Sequence, residues 1–227
     1  MDILPISLVG GLLALDTTAV MQVLISQPLV SGTILGWLLG DVTLGLHIGI
    51  LLQFLWLNQL PVGAAKIPEG NLASVIAVIL VFRLEMFLDA KYNMLILAVI
   101  LYTLFISYIG TLLITQLRKW NILFLDRVSK LLDEGYVCSL GQINMMALLM
   151  HLGVITGAIL ISVLFGEQLL SKVISAIPEN WNATARYVEI AIIGSGIGLA
   201  LNFYRDRKNW RFLFLGFILG IGLYCLV

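Results

Sequence analysis

The chain alternates long apolar runs with short polar interruptions. Met94–Leu117 and Gln142–Phe165 contain no Lys, Arg, Asp or Glu. Each matches the roughly 20 mostly apolar residues that a helix needs to span a bilayer. Val42–Leu60 is similar apart from His47, and Tyr187–Phe203 and Arg211–Val227 are shorter candidates. The N-terminal third is different. Ile3–Ile25 is apolar except for Asp16 and a few polar neighbours, while Pro28–Gly40 and Asn71–Leu84 are too short for a simple crossing. Such lengths fit half-helices or re-entrant hairpins. The pattern predicts an all-α, polytopic membrane protein with about six to eight membrane segments, including broken or re-entrant helices in the first third.

Composition agrees with this. Hydrophobic residues make up 60% of the chain and charged residues 11%, against about 25% charged in a soluble domain, so lipid must cover much of the surface. The apolar runs lack the strict alternation of barrel strands. Net charge is zero, which leaves no basic block for nucleic acid. Cys138 and Cys225 lie too far apart in sequence to suggest a disulfide framework or a metal site, and no metal or cofactor is expected. Met1-Asp2-Ile3 has no basic region of the kind that opens a secretory signal, so the first apolar stretch is expected to be retained.

Basic residues orient the second half. Arg118, Lys119, Arg127 and Lys130 in one polar segment, and Arg205, Arg207, Lys208 and Arg211 in another, read as cytoplasmic. The stretch 166–186 between them fits the outer face. Within 118–141, Leu117, Trp120, Leu123, Phe124, Val128, Leu131 and Leu132 recur at helical spacing among charged positions. This describes an amphipathic helix lying on the membrane surface or against a partner. No internal repeat is evident, and the chain reads as one membrane domain over 1–227.

Polar residues at membrane depth are costly and are therefore candidates for function. Asp16 sits in an apolar run without a basic neighbour; it either serves a polar site or caps a helix end. Ser26-Gln27-Pro28 should break a helix. Broken helices line substrate cavities in transporters, and an interfacial turn is the plainer reading. Gln53 and Trp56 occupy an otherwise apolar run, followed by Pro61 to Asn71 with two prolines and two glycines. That segment reads as a re-entrant loop ending in Glu69 and Asn71, or as a surface loop in which Asn71 caps the next helix. Carboxylates, amides and an aromatic face are the groups that hold a neutral sugar, and Asp16, Gln27, Gln53, Trp56, Glu69 and Asn71 supply them. Asp41 after Gly40 reads as a turn and cap. His47 and His151 read as packing or hydrogen-bonding residues. Five Gly-xxx-Gly pairs, at 36/40, 45/49, 153/157, 194/198 and 216/220, imply close helix packing.

In order and spacing, Gly10 through Val20, Ser26-Gln27-Pro28-Leu29-Val30-Ser31-Gly32, Leu39 through Gln53, Pro61-Val62-Gly63-Ala64-Ala65 and Pro68 through Ser74 resemble the IIC subunit of the mannose/fructose/sorbose family of bacterial phosphotransferase systems. The resemblance implies a sugar-translocating subunit without a phosphohistidine of its own and with no catalytic residue. It would act with a IID membrane subunit and with phosphorylated IIB, fed by IIA, as an oligomeric complex in the bacterial inner membrane. Residues 1–84 would then form the substrate path and 85–227 the longer helices. Asp16 matches the family's early aspartate, and Glu69 stands where the family has an acidic residue. Gln53 departs from a frequent glutamate, and Gln27 stands where many members have histidine or another polar residue. On the bare residues, a stand-alone transporter or channel for a small polar solute, or a non-transporting scaffold, fits as well.

Overall fold

The computed structural model of the chain describes residues 2–17, 20, 22–57, 68–133, 140–203 and 210–226. The regular structure among them is helical, as the apolar pattern predicts. In chain order it comprises α1 (Ile3–Leu15), α2 (Pro28–Leu39), α3 (Val42–Trp56) and α4 (Gly70–Arg83). A 3-10 turn at Glu85–Phe87 follows, then α5 (Leu88–Asp133), α6 (Leu140–Ala176), α7 (Trp181–Phe203) and α8 (Trp210–Leu226). Among the described residues, three helices are long and apolar enough to cross a membrane, over Asp89–Lys130, Gly141–Ala176 and Trp181–Asn202. The first four helices are apolar but shorter.

Helix α4 forms the centre. Every residue from Leu72 to Val81 is at most 4% exposed, and α4 packs against α1, α2, α3, α5 and α6. A helix that is apolar on all sides must be enclosed on all sides. The outward stripe of α5, by contrast, carries Leu101, Phe105, Tyr108 and Leu112, all exposed. Their i, i+4, i+7, i+11 spacing marks one face suited to lipid.

Helices α2 and α3 form the closest pair. Pro28 opens α2 at its first turn, and Gly40 closes it in the left-handed region at φ 99°, where glycine carries no steric penalty. Asp41 then caps α3 by accepting from Leu44 N at 2.9 Å, the role its position suggests. Gly32 and Gly36 of α2 lie against Gly45 and Gly49 of α3. A Cβ added to Gly36 would stand 2.8 Å from Gly45 Cα. Of the Gly-xxx-Gly pairs, 45/49 thus makes a backbone contact, whereas Gly153, Gly157, Gly194 and Gly198 face open space.

Polar contacts made by Arg83, Lys91 and Asn182 tie neighbouring helices together. Arg83 of α4 makes a bidentate pair with Glu167 of α6, at 2.9 Å from Nε and 3.0 Å from Nη2. At Lys91 the backbone of α5 leaves helical geometry (φ −131°, ψ 36°). The Lys91 ammonium donates to the carbonyls of Ile174 and Ile177 at the end of α6, where a cation suits the exposed carbonyls and the helix dipole. Asn182 of α7 accepts from Met94 N at 3.1 Å where α5 resumes.

The segment 118–141, expected to form an amphipathic helix on the membrane surface or against a partner, is helical over 118–133. Residues 118–133 continue α5 without interruption. The physical reason is the absence of Gly or Pro between Thr111 and Glu134. Leu117 and Val128 are buried there, while Trp120 and Leu123 are exposed, so the apolar positions do not form one buried face. Residues 134–139 lie outside the described residues, and α6 has already begun by Leu140. The expected outer segment 166–186 is mostly helix, with α6 extending to Ala176 and α7 starting at Trp181.

Candidate functional site

The connection between α1 and α2 is organised by one side chain. Asp16, at the end of α1, accepts from Val23 N at 2.8 Å and from Ser26 N at 3.2 Å, with Ser26 Oγ at 3.4 Å. It is 7% exposed. Gln22 (φ 55°) and Leu24 (φ 69°) hold left-handed backbone in this connection, a conformation non-glycine residues seldom adopt. The carboxylate therefore draws the chain into a tight, strained hairpin. Asn71, in the first turn of α4, completes it by donating from Nδ2 to Thr17 Oγ1 at 3.1 Å and to Ser26 Oγ at 3.2 Å. Asn71 is thus a tertiary bridge, and the N-cap position of α4 belongs to Glu69.

This hairpin walls a cavity of about 840 Å³. Five of the six residues singled out in the sequence line it: Asp16, Gln27, Trp56, Glu69 and Asn71. Gln53 does not. It stands behind Gln27, donating to Gln27 Oε1 at 3.3 Å and accepting from Leu29 N at 3.4 Å, so it braces the start of α2. Glu69 is anchored through its backbone N–H, which donates to Ser107 O at 3.0 Å. Its carboxylate accepts no hydrogen bond from the described residues and is left for the cavity. The indole of Trp56 is 8% exposed and lies against Gly70, where a Cβ would come within 2.7 Å of the ring. Its Nε1 is buried without a partner among the described residues. Residues 61–67 of the expected re-entrant loop lie outside the described residues.

The opposite wall comes from the long helices. On α5, Ile114, Arg118 and Asn121 follow i, i+4, i+7; on α6, Asn144, Ala147, Leu148 and His151 follow i, i+3, i+4, i+7. Each set is one helical stripe, and both stripes face the cavity. His151 is 7% exposed with Nε2 unpartnered among the described residues, and Asn121 Oδ1 is likewise buried and unpartnered. Arg118, expected as a cytoplasmic cation at the start of the 118–141 segment, also lines this wall. The spacing from Ile114 was the signal that could have placed it there. His47 takes no part in the cavity and lies 3.3 Å from Glu189 of α7.

Buried and half-buried carboxylates, amides and an indole lining a cavity of this size suit a small polyhydroxylated solute. Comparison with known proteins points the same way. Residues 1–225 match the family model described as the PTS system sorbose-specific IIC component. The chain is 27% identical over 198 residues to the sorbose-specific EIIC component of Klebsiella pneumoniae, covering 86% of this chain and 70% of that one. It is 26% identical over 193 residues to the mannose-specific EIIC component of Escherichia coli (strain K12), covering 85% and 70%. Among solved structures, one described only as a membrane protein superposes with a TM-score of 0.69 at 23% identity, covering 96% of this chain and 84% of that one. The cryo-EM structure of the mannose transporter ManYZ in complex with microcin E492 gives 0.53 at 21% identity over the same shares. These two likenesses establish the fold.

Proposed function

Because the chain belongs to the family of PTS system sorbose-specific IIC components, we propose that it binds a hexose or a related sugar in the cavity between the Asp16 hairpin and the α5–α6 wall. The family works within a sugar phosphotransferase complex, and the protein is a multi-pass membrane subunit. In our reading, its direct partners are a IID membrane subunit and phosphorylated IIB, which receives its phosphoryl group from IIA. The complex sits in the bacterial inner membrane. The chain supplies binding and translocation, and phospho-IIB supplies the phosphoryl group as the sugar is delivered.

One observation carries this reading: the Asp16–Ser26–Asn71 cluster and the Glu69 carboxylate, which accepts no hydrogen bond from the described residues, share a cavity with the Trp56 indole in a protein otherwise built from apolar helices. Asp16 and Asn71 shape the hairpin and present their remaining acceptor lone pairs to hydroxyls. Glu69 accepts from hydroxyls, Trp56 offers an apolar face and an N–H, and Gln27, braced by Gln53, offers both donor and acceptor.

The test is uptake of labelled hexoses by vesicles that hold the chain with its candidate IID. IIA, IIB and the phosphoenolpyruvate relay are supplied on the cytoplasmic side, and the recovered sugar is assayed for phosphate. Sugar phosphate that forms only with the complete relay supports the proposal. Free sugar entering without the relay overturns it in favour of a stand-alone transporter, and no uptake of any sugar overturns it in favour of a scaffold.

A further inference from the structure

The cavity carries both signs of charge. Of its lining carboxylates, Asp16 belongs to the hairpin, while Glu69 at the α4 start is bonded through its backbone N–H to Ser107 O of α5; its lining cation, Arg118, stands about three turns further along α5. Arg118 makes no ion pair and no hydrogen bond with any described residue, although it is close enough for its charge to act on Glu69 and His151. Beside it on the same two stripes stand Asn121, Asn144 and His151. His151 is more than nine-tenths buried, and its Nε2 has no partner among the described residues. A buried polar atom is ordinarily paired, and one facing a cavity marks a place where a ligand atom or water completes the bond. Amides can present N–H groups, an imidazole can donate, and a guanidinium donates in a planar fork suited to phosphate oxygens. The opposing carboxylates carry the wrong charge for an anion.

We propose that the α5–α6 wall is an anion subsite that receives the phosphate of a sugar phosphate monoester, with Arg118 as its principal ligand and His151, Asn121 and Asn144 as supporting polar groups. It rests on the sugar-binding reading above and extends it. The ring sits toward Asp16, Glu69 and Trp56, and the phosphate toward Arg118. The hairpin wall repels the dianion, so the charge of the cavity sets which end of the phosphorylated sugar points where. Arg118 is exposed, which places the phosphate at the open side of the cavity.

The experiment uses the full chain in nanodiscs of zwitterionic lipid and measures retention of labelled mannose, labelled sorbose and labelled mannose 6-phosphate. Wild type is compared with Arg118→Gln, Arg118→Lys and His151→Gln. The expected result is that Arg118→Gln weakens mannose 6-phosphate at least tenfold more than it weakens the free sugar, because it removes a charge-assisted bidentate contact. Arg118→Lys recovers part of the loss, and His151→Gln shifts the same ratio by a smaller factor. Equal weakening of sugar and sugar phosphate, or no change in either, overturns the subsite. Wild type that binds a free sugar but not mannose 6-phosphate overturns the subsite and leaves the sugar-binding reading standing. Binding of none of the three probes overturns both. Competition with inorganic phosphate, and repetition in anionic-lipid nanodiscs, separate the sources. Displacement of mannose 6-phosphate by inorganic phosphate at equal concentration, or its loss in anionic lipid, assigns the wall to free phosphate or to a lipid headgroup and overturns the sugar ester.

Discussion

Replacing Asp16 separates two ways in which a buried carboxylate can serve a binding site. Its oxygens hold Val23 N and Ser26 N at 2.8 and 3.2 Å. Hydrogen bonds to a charged group contribute about 1.5–3 kcal/mol each, so Asp16→Ala removes at least about 3 kcal/mol from the hairpin. The strained backbone at Gln22 and Leu24 opposes the hairpin by about 1–3 kcal/mol per residue, so little reserve remains once those bonds are gone. At about 1.4 kcal/mol per factor of ten, the competent population falls by roughly a hundredfold or more, and apparent sugar affinity falls with it. Asp16→Asn keeps one carbonyl acceptor for Val23 N, at a neutral bond's strength of about 1 kcal/mol, and so loses about 2 kcal/mol, roughly 25-fold. The assay is sugar binding and uptake by the three proteins, with amide hydrogen exchange at Val23 and Ser26 measured alongside. Exchange should rise in the order wild type, Asn, Ala, in step with lost affinity. Equal loss in both variants with unchanged exchange would show that the carboxylate acts by touching the sugar and would refute the hairpin argument. Normal uptake by Asp16→Ala would refute any role.

Other outcomes follow from the same geometry. Glu69→Gln should lower uptake while leaving the protein in the membrane at its normal level, and unaltered uptake would count against Glu69 as a sugar ligand. Gly45→Ala places a methyl group against the Gly32 carbonyl and 2.5 Å from Gly36 Cα. It should cost about 1–3 kcal/mol as overpacking and lower the melting temperature in detergent, whereas Gly153→Ala, which meets nothing within 4 Å, should melt like the native protein; matching melts for the two variants would sink this packing account. His47→Leu strips Glu189 of its partner on α3. Because the other Glu189 oxygen is already buried without a partner among the described residues, the variant should lose about 1–3 kcal/mol of stability, checked by thermal unfolding at neutral pH.

Features encoded within a few residues were legible in the sequence, and those depending on distant pairing were not. Pro28 and Asp41 announce helix starts through chemistry that acts locally, and the family pattern over the first third located Asp16, Glu69 and Asn71. The bond from Asn71 to Ser26 closes over 45 residues, and no local rule distinguishes that role from an N-cap. Gln53 reads as a candidate ligand because an amide in an apolar run looks functional, and its contact with Gln27 could be known only once α2 lay on α3. Arg118 groups in the sequence with the charged positions of the segment 118–141, whose pattern predicts an amphipathic helix and says nothing of a cavity. Its register with Ile114 and Asn121 is helical and carries it into the cavity. Glycine spacing alone could not tell 45/49, which meets another backbone, from 153/157, which meets nothing.

Helix α5 has 46 residues, about 69 Å at 1.5 Å per residue, more than twice the roughly 30 Å hydrocarbon thickness. Its only departure from helical geometry is at Lys91, far from the cavity. Arg118 on the cavity wall and the exposed Leu125 are two turns apart on one unbroken rod. A push applied near Leu125 is therefore a displacement of the cavity wall, transmitted as a lever transmits it. A spin label or fluorophore at that position would read out the site's motion without touching the site.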